Sequence, residues 1–163
     1  MNAWDHLPNA KHIDWVLASL KQHTEIWAVA WAAARSVAWG VDRDADQSVA
    51  HSAARSAAWD VYRDAARSAA WDVDRDATRS AARSAAWDVD RDAAWESQAA
   101  SDAAWYATRG VLLALIAYDD CAHLLDMPSE QLKAWAVLTE KPAAVLLVLA
   151  AIAREQIREL EQA

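Results

Sequence analysis

Two groups of side chains in this sequence have the types and the spacing to do chemistry. The first is a column of arginines and tryptophans, Trp59, Arg63, Arg67, Trp71, Arg75, Trp87 and Arg91, set at multiples of four residues through the middle of the chain. An indole face stacks on a nucleobase and a guanidinium holds a phosphate in a forked contact, so a cleft between helices bearing this column would capture a nucleotide-type ligand. The competing reading is packing, with Trp in the core and Arg paired to Asp on the surface. The second group is Asp119, Asp120, Cys121 and His123. On a helix Asp120 and His123 share a face at i and i+3, the carboxylate-x-x-His spacing of metal sites in helical bundles. A bundle site needs a second such motif, and the sequence has none. Asp119, Asp120 and His123 are therefore read as structural polar contacts that seat their helix against the neighbouring tract, and neither a metal nor a cofactor is expected. Cys121 and His123 are two apart and point to different faces, which disfavours a thiol–imidazole dyad, and no serine nucleophile or glycine-rich phosphate loop stands out.

The column belongs to a repeat. From Val29 to Glu96 the chain can be written in unbroken tetrads, most of them two small residues, then Arg or Trp, then Ser or Asp, clearest from Ala53 to Asp64 and again from Ala65 to Asp76 and Ala81 to Asp92. A helix turns about 100° per residue, so a four-residue step advances the column by about 40° each time and winds it around the helix. As one straight helix the tract would span on the order of 100 Å, far beyond the radius of about 15 Å of a compact domain of this length. The tract must break. Gly40 is the break favoured by composition, and further breaks before Arg109 would have to use Ser or Asp as caps. Asp followed by Arg three residues on, as in Asp64 and Arg67, Asp76 and Arg79, and Asp88 and Arg91, suits a solvent-facing helix. Coils of short strands would also suit a perfect short repeat, but Ala, Arg, Asp and Ser are poor strand residues and turn glycines are missing.

The elements that must position these side chains are expected to be helices throughout. The chain of 163 residues has 2 glycines and 3 prolines, too little punctuation for a sheet protein. The predicted fold is all-α, one domain over residues 1–163: an N-terminal helical part (1–28), tetrad-repeat helices (29–109), and aliphatic helices (110–163) that form the core. Asn9 is read as the cap of a helix carrying Ile13, Val16, Leu17 and Leu20, with a restart at Thr24. Gly110 introduces an aliphatic segment to Tyr118, Pro128 suits the first turn of a helix from Ser129 to Leu138, and Thr139 is read as the cap of a last helix from about Glu140 to Glu161.

The net charge of −8, with acid exceeding base in each of the three parts, excludes a general nucleic-acid binder. The longest apolar run, Ala143 to Ala153, is short of the roughly 20 residues of a membrane span. A single cysteine and the absence of an export signal at the start point to a cytoplasmic location. Repeated small-residue faces favour closed association, with a homodimer the first expectation.

The Ala-Arg-Ser-Ala-Ala-Trp tract, followed by Leu115-Ile-Ala-Tyr-Asp-Asp-Cys-Ala-His-Leu-Leu-Asp-Met127 and Lys141-Pro-Ala-Ala-Val-Leu-Leu147, resembles a group of uncharacterised bacteriophage and prophage proteins over residues 29–150. The resemblance implies a phage accessory protein and carries no activity or functional residues with it. Taken together, the expected function is non-enzymatic binding, first as an inhibitor or decoy of a host defence protein. The alternatives are a small-ligand binder that sequesters a nucleotide-type signal through Arg and Trp, and a helical-bundle metalloprotein using Asp120 and His123.

Overall fold

The computed structural model describes residues 2–37, 62–139 and 141–163. Among them the fold is all-α. The helices are α1 (Ala10–Gln22), α2 (Thr24–Val37), α3 (described over 62–74), α4 (Ala77–Asp92), α5 (Gln98–Tyr106), α6 (Leu113–Ala117), α7 (Ser129–Thr139) and α8 (Pro142–Gln162). A π-helical turn, Ala107–Leu112, joins α5 to α6, and a short 3-10 turn, Ala122–Asp126, precedes α7.

At the centre lies α8. Pro142 opens it, as suits a residue without an N–H at the first helical position. From Ala144 to Ala153 every residue is buried, so this part of the helix is apolar on all sides and must be surrounded by other helices. Around it pack α2, α7 and the π turn, while Arg158, Glu159 and Leu160 emerge into solvent. The aliphatic C-terminal helices thus form the core, as their composition predicts. α2 presents Trp27, Ala30, Trp31 and Ala34 at helical spacing and lies against α5, whose buried face is Ala100, Ala103 and Ala104. Bulk on one helix thus faces small residues on the other, which lets the two approach closely. Trp27 also donates its indole N–H to Ser19 Oγ at 3.1 Å, and that hydroxyl bonds Val16 O at 3.1 Å, which ties α1 to α2 across the sharp restart at Thr24.

The repeat breaks where small polar caps permit. α3 ends before Asp76, whose carboxylate accepts from Thr78 N at 2.9 Å to start α4. α4 ends at Ala93, and Ser97 starts α5 by accepting from Ala100 N at 3.1 Å. Both caps satisfy amide groups that a helix start leaves open. Gly40, the break favoured by composition, lies outside the described residues. α7 runs on through Thr139, and α8 begins at Pro142 with Lys141 at its cap position, so Thr139 is not the cap of the last helix.

Asn9 corrects the sequence reading. It stands at the start of α1 yet makes no side-chain capping bond. Its buried amide instead donates to Leu115 O and Tyr118 O, both at 2.9 Å, at the far end of α6. The last carbonyls of a helix have no partner within it. Here donors from distant parts of the chain supply two of them, Asn9 at Leu115 O and Arg79 of α4 at Ile116 O, while Ala114 O accepts locally from Tyr118 N at 2.9 Å and from the nearby Cys121 thiol at 3.6 Å. One helix end therefore anchors the N-terminal segment and a repeat helix together.

Candidate functional site

The repeat column divides between two environments, as its winding requires. On α3, Arg63 and Arg67 lie one helical turn apart and, with Ala66 and Ala70 between and beyond them, line a cavity of about 290 Å³. One further tetrad along, the column has rotated out of it. Trp71 is 67% exposed, with the Arg75 guanidinium 5.4 Å from its ring centre, a surface cation–π pair. α4 contributes Trp87 to the cavity, whereas Arg91, one turn on, pairs with Asp88 on the outside of the helix. Trp59 lies outside the described residues. Three residues of the column, Arg63, Arg67 and Trp87, are thus brought together, and Trp71, Arg75 and Arg91 stand away from them.

Residues that the repeat pattern does not mark complete the cleft. Trp105 and Tyr106 come from the end of α5, and Arg109 and Gly110 from the π turn. A π turn inserts a residue into the helical ladder and re-aims the side chains that follow it, and such turns recur at functional sites. In this case it sets Arg109 between two indoles, 5.0 Å from the Trp87 ring centre and 4.8 Å from that of Trp105. Asp90 of α4 receives the guanidinium at 2.8 Å, and with side-chain exposures of 20% for Arg109 and 10% for Asp90 the pair is largely withdrawn from water. Arg83 lies 5.2 Å from the Trp87 ring centre and is held by Asp74 at 2.6 Å. The Trp87 indole N–H is buried and has no acceptor among the described residues.

The remaining wall is aromatic and the floor aliphatic. Trp31 of α2 stacks on Tyr106 with ring centres 3.8 Å apart and meets Tyr62 of α3 edge-on at 5.3 Å. Tyr62 is buried, and that burial pushes its phenol well above the ordinary tyrosine range, so the ring stays neutral. Leu113 and Leu146 close the bottom beside Gly110, where a Cβ would stand 3.3 Å from Leu146 Cδ2. Glycine keeps this floor open.

The cleft lining is basic in composition, although Asp90 and Asp64 pair with two of its arginines. Three arginines line it, and none of its described lining residues is an Asp or Glu, in a chain whose net charge is −8. Arg67 is 74% exposed and its contact with Asp64 is long, 4.0 Å, so solvent screens that pair and its charge still faces the cleft mouth. A concave, partly apolar surface focuses such a field onto an anion at its mouth.

The polar cluster at the end of α6 is a joint. Asp119 pairs with Arg79 of α4 at 2.6 Å, and Arg79 also lies 3.6 Å from Asp76. Asp120 and His123 do not share the face of an α-helix: Asp120 is in the turn before the 3-10 segment, and His123 Nδ1 meets the Asp120 backbone carbonyl at 2.6 Å. No group of three or more His, Cys, Asp or Glu residues able to hold a metal ion occurs among the described residues. Burial, with Asp120 close by, pushes the Cys121 thiol up to about 12, so it is a packing and hydrogen-bonding group and not a ready thiolate. No described helix is long and apolar enough to cross a membrane.

Compared with known family models, curated proteins and solved structures, the chain gives no match in any of the three.

Proposed function

We propose that this protein acts by binding a small anionic ligand with a planar aromatic part, a nucleotide-type molecule, in the cleft between α3, α4 and the π turn. The observation that carries the reading is an aromatic cleft lined by three arginines, with no Asp or Glu among its described lining residues, in a strongly acidic chain. Its volume of about 290 Å³ sits at the lower edge of the roughly 300–1,000 Å³ of small-molecule sites, enough for one ring system and its immediate substituents. Base–aromatic stacking contributes about 1–3 kcal/mol per base, and a charge-assisted hydrogen bond to phosphate about 1.5–3 kcal/mol. Such contacts, together with the burial of the ring's apolar faces, supply the free energy that opposes the entropy cost of association.

Binding without turnover suits the lining. The described residues around the cavity include no carboxylate, histidine, serine or cysteine to serve as nucleophile or general base, and Tyr62 holds its proton. Sequestration of a nucleotide-type signal, one of the functions expected from the Arg and Trp column, follows from that chemistry. Isothermal titration against a panel of nucleotides and cyclic nucleotides is the test. One ligand should give saturable heat at one site per chain, and Arg67→Glu, on an exposed side chain, should abolish it without lowering thermal stability. No heat from any member of the panel overturns the reading.

A further inference from the structure

We infer that Arg109 is a positioning residue of the cleft: it acts on a ligand through the indoles of Trp87 and Trp105 and not through its own charge, and the wall it builds recognises an uncharged aromatic ring. The inference rests on the binding function proposed above and deepens it by assigning the part of the ligand that this wall takes. Both indoles and Arg109 line the cavity, yet they come from separate elements, Trp87 from α4, Trp105 from α5 and Arg109 from the π turn. The guanidinium lies over both rings, 5.0 Å from the centre of Trp87 and 4.8 Å from that of Trp105. A planar cation stacks on indole faces, so one side chain joins the rings of two helices into a single surface.

The charge of Arg109 is satisfied within the protein. Asp90 receives the guanidinium at 2.8 Å, and the two side chains are 20% and 10% exposed, so the pair is neutral as a unit and only weakly screened by water. An anionic group brought against this wall would meet the Asp90 carboxylate as well as the guanidinium, whereas a neutral ring meets only aromatic surface. Trp87 is secured from a second side, by Arg83 at 5.2 Å from its ring centre, itself held by Asp74 at 2.6 Å. Trp105 depends more on Arg109. It is 46% exposed, so burial alone leaves its rotamer open, and its described ring contacts are Arg109 and the edge of its neighbour Tyr106 at 4.9 Å. Without the guanidinium a ligand would have to order this indole as it binds, and that ordering weakens affinity whatever charge the ligand carries.

Two variants test the inference. Arg109→Met combined with Asp90→Asn removes both charges together and leaves neither one buried alone. Arg109→Lys keeps the charge and the pairing with Asp90 but has no plane to span two rings. In the ligand-free wild type the heteronuclear NOE of the Trp105 indole N–H is expected to match that of buried Trp27, and in the double variant to fall to the value of a mobile side chain. In titrations followed by proton–nitrogen spectra, wild type is expected to bind both adenosine and AMP, and each variant to weaken the two probes by the same factor, about tenfold. A Trp105 indole that is mobile already in the wild type, or as rigid in the double variant as in the wild type, overturns the positioning role. Weakening of AMP alone, or failure of adenosine to bind where AMP binds, overturns recognition of the uncharged ring while leaving a binding cleft in place. If no nucleoside or nucleotide binds the wild type, the binding function itself falls, and the relaxation data still decide whether Arg109 positions Trp105.

Discussion

Replacing Asn9 separates two roles that its position allows. Its amide is buried and gives both of its hydrogens to carbonyls at the end of α6, Leu115 O and Tyr118 O, each at 2.9 Å. Asn9→Ala leaves both oxygens without their donor. A buried acceptor deprived of its partner costs about 1–3 kcal/mol, and the bond to Tyr118 O is only partly buried, so the sum is about 3 kcal/mol. For a chain of this size each kcal/mol lowers Tm by about 2–4 °C, which gives a fall of about 6–12 °C in a thermal melt followed by circular dichroism. Asn9→Asp is the discriminating variant. Aspartate caps a helix as well as asparagine but donates nothing, and its charge would face two carbonyl oxygens. The structure therefore predicts a fall at least as large as that of Asn9→Ala. If Asn9 served to cap α1, Asp would restore the wild-type Tm and Ala would cost only about 1 kcal/mol. An Asn9→Asp protein that melts with the wild type refutes the reasoning.

Further predictions follow from single contacts. Asp90→Ala strands Arg109 in a largely buried setting and should destabilise by about 3 kcal/mol, read as a lower urea midpoint with unchanged slope; a midpoint equal to wild type would show that the pair contributes nothing. Glu155→Ala removes the carboxylate that receives both Ser129 N and Ser129 Oγ at 2.6 Å, where a side chain from α8 caps the start of α7, and should cost about 1–2 kcal/mol, whereas Glu155→Gln should recover part of it. Gly110→Val drives methyl groups into Leu146, which a Cβ already approaches to 3.3 Å, and should cost about 1–3 kcal/mol in melting experiments while shrinking the cleft, so that ligand heat falls more than stability does. At alkaline pH, burial raises the Cys121 thiol from 9.0 and the Tyr118 phenol from 10.0 to about 12 each, the latter reinforced by its hydrogen bond to Asp72. Both groups are neutral when protonated, so the native state holds these protons more tightly than the unfolded chain. Their contribution is complete below about pH 9 and lost as pH rises toward 12, and the urea midpoint should fall from pH 8 to 11. An unchanged midpoint over that range would show that the two groups are not protected.

Much of the fold is legible in the sequence because it depends on local and one-dimensional signals. The apolar run from Ala143 to Ala153 can only be a buried helix, and it is the centre of the structure. The restart at Thr24 and the helix after Pro128 follow from capping and proline chemistry. The winding of a four-residue column by about 40° per step explains why Arg63 and Arg67 face the cleft and Trp71 does not. The rest depends on partners distant in the chain. Asn9 reads as a cap because its carbonyl partners lie more than a hundred residues away. Asp76 is one of many Asp residues in the repeat and Ser97 stands just past its end, and neither is distinguished by the pattern as a cap. Arg109 falls where the repeat fades, and its place between Trp87 and Trp105 depends on a π turn that no residue pattern announces. The run Trp105-Tyr106-x-x-Arg109-Gly110, with a glycine one helical turn from aromatic residues, is the signal that could have drawn attention to this end of the site.

The claim on which the functional account depends is that a ligand enters the cleft and not some other surface. Among 11 tryptophans, Trp87 and Trp105 line the cleft, and each indole N–H gives its own signal in a proton–nitrogen correlation spectrum. Titration of isotope-labelled protein with AMP should move the Trp87 and Trp105 indole signals progressively to saturation and leave those of Trp4 and Trp71 in place. Shifts confined to the exposed Trp71, or no shifts at millimolar AMP and with the other mononucleotides, would contradict the account.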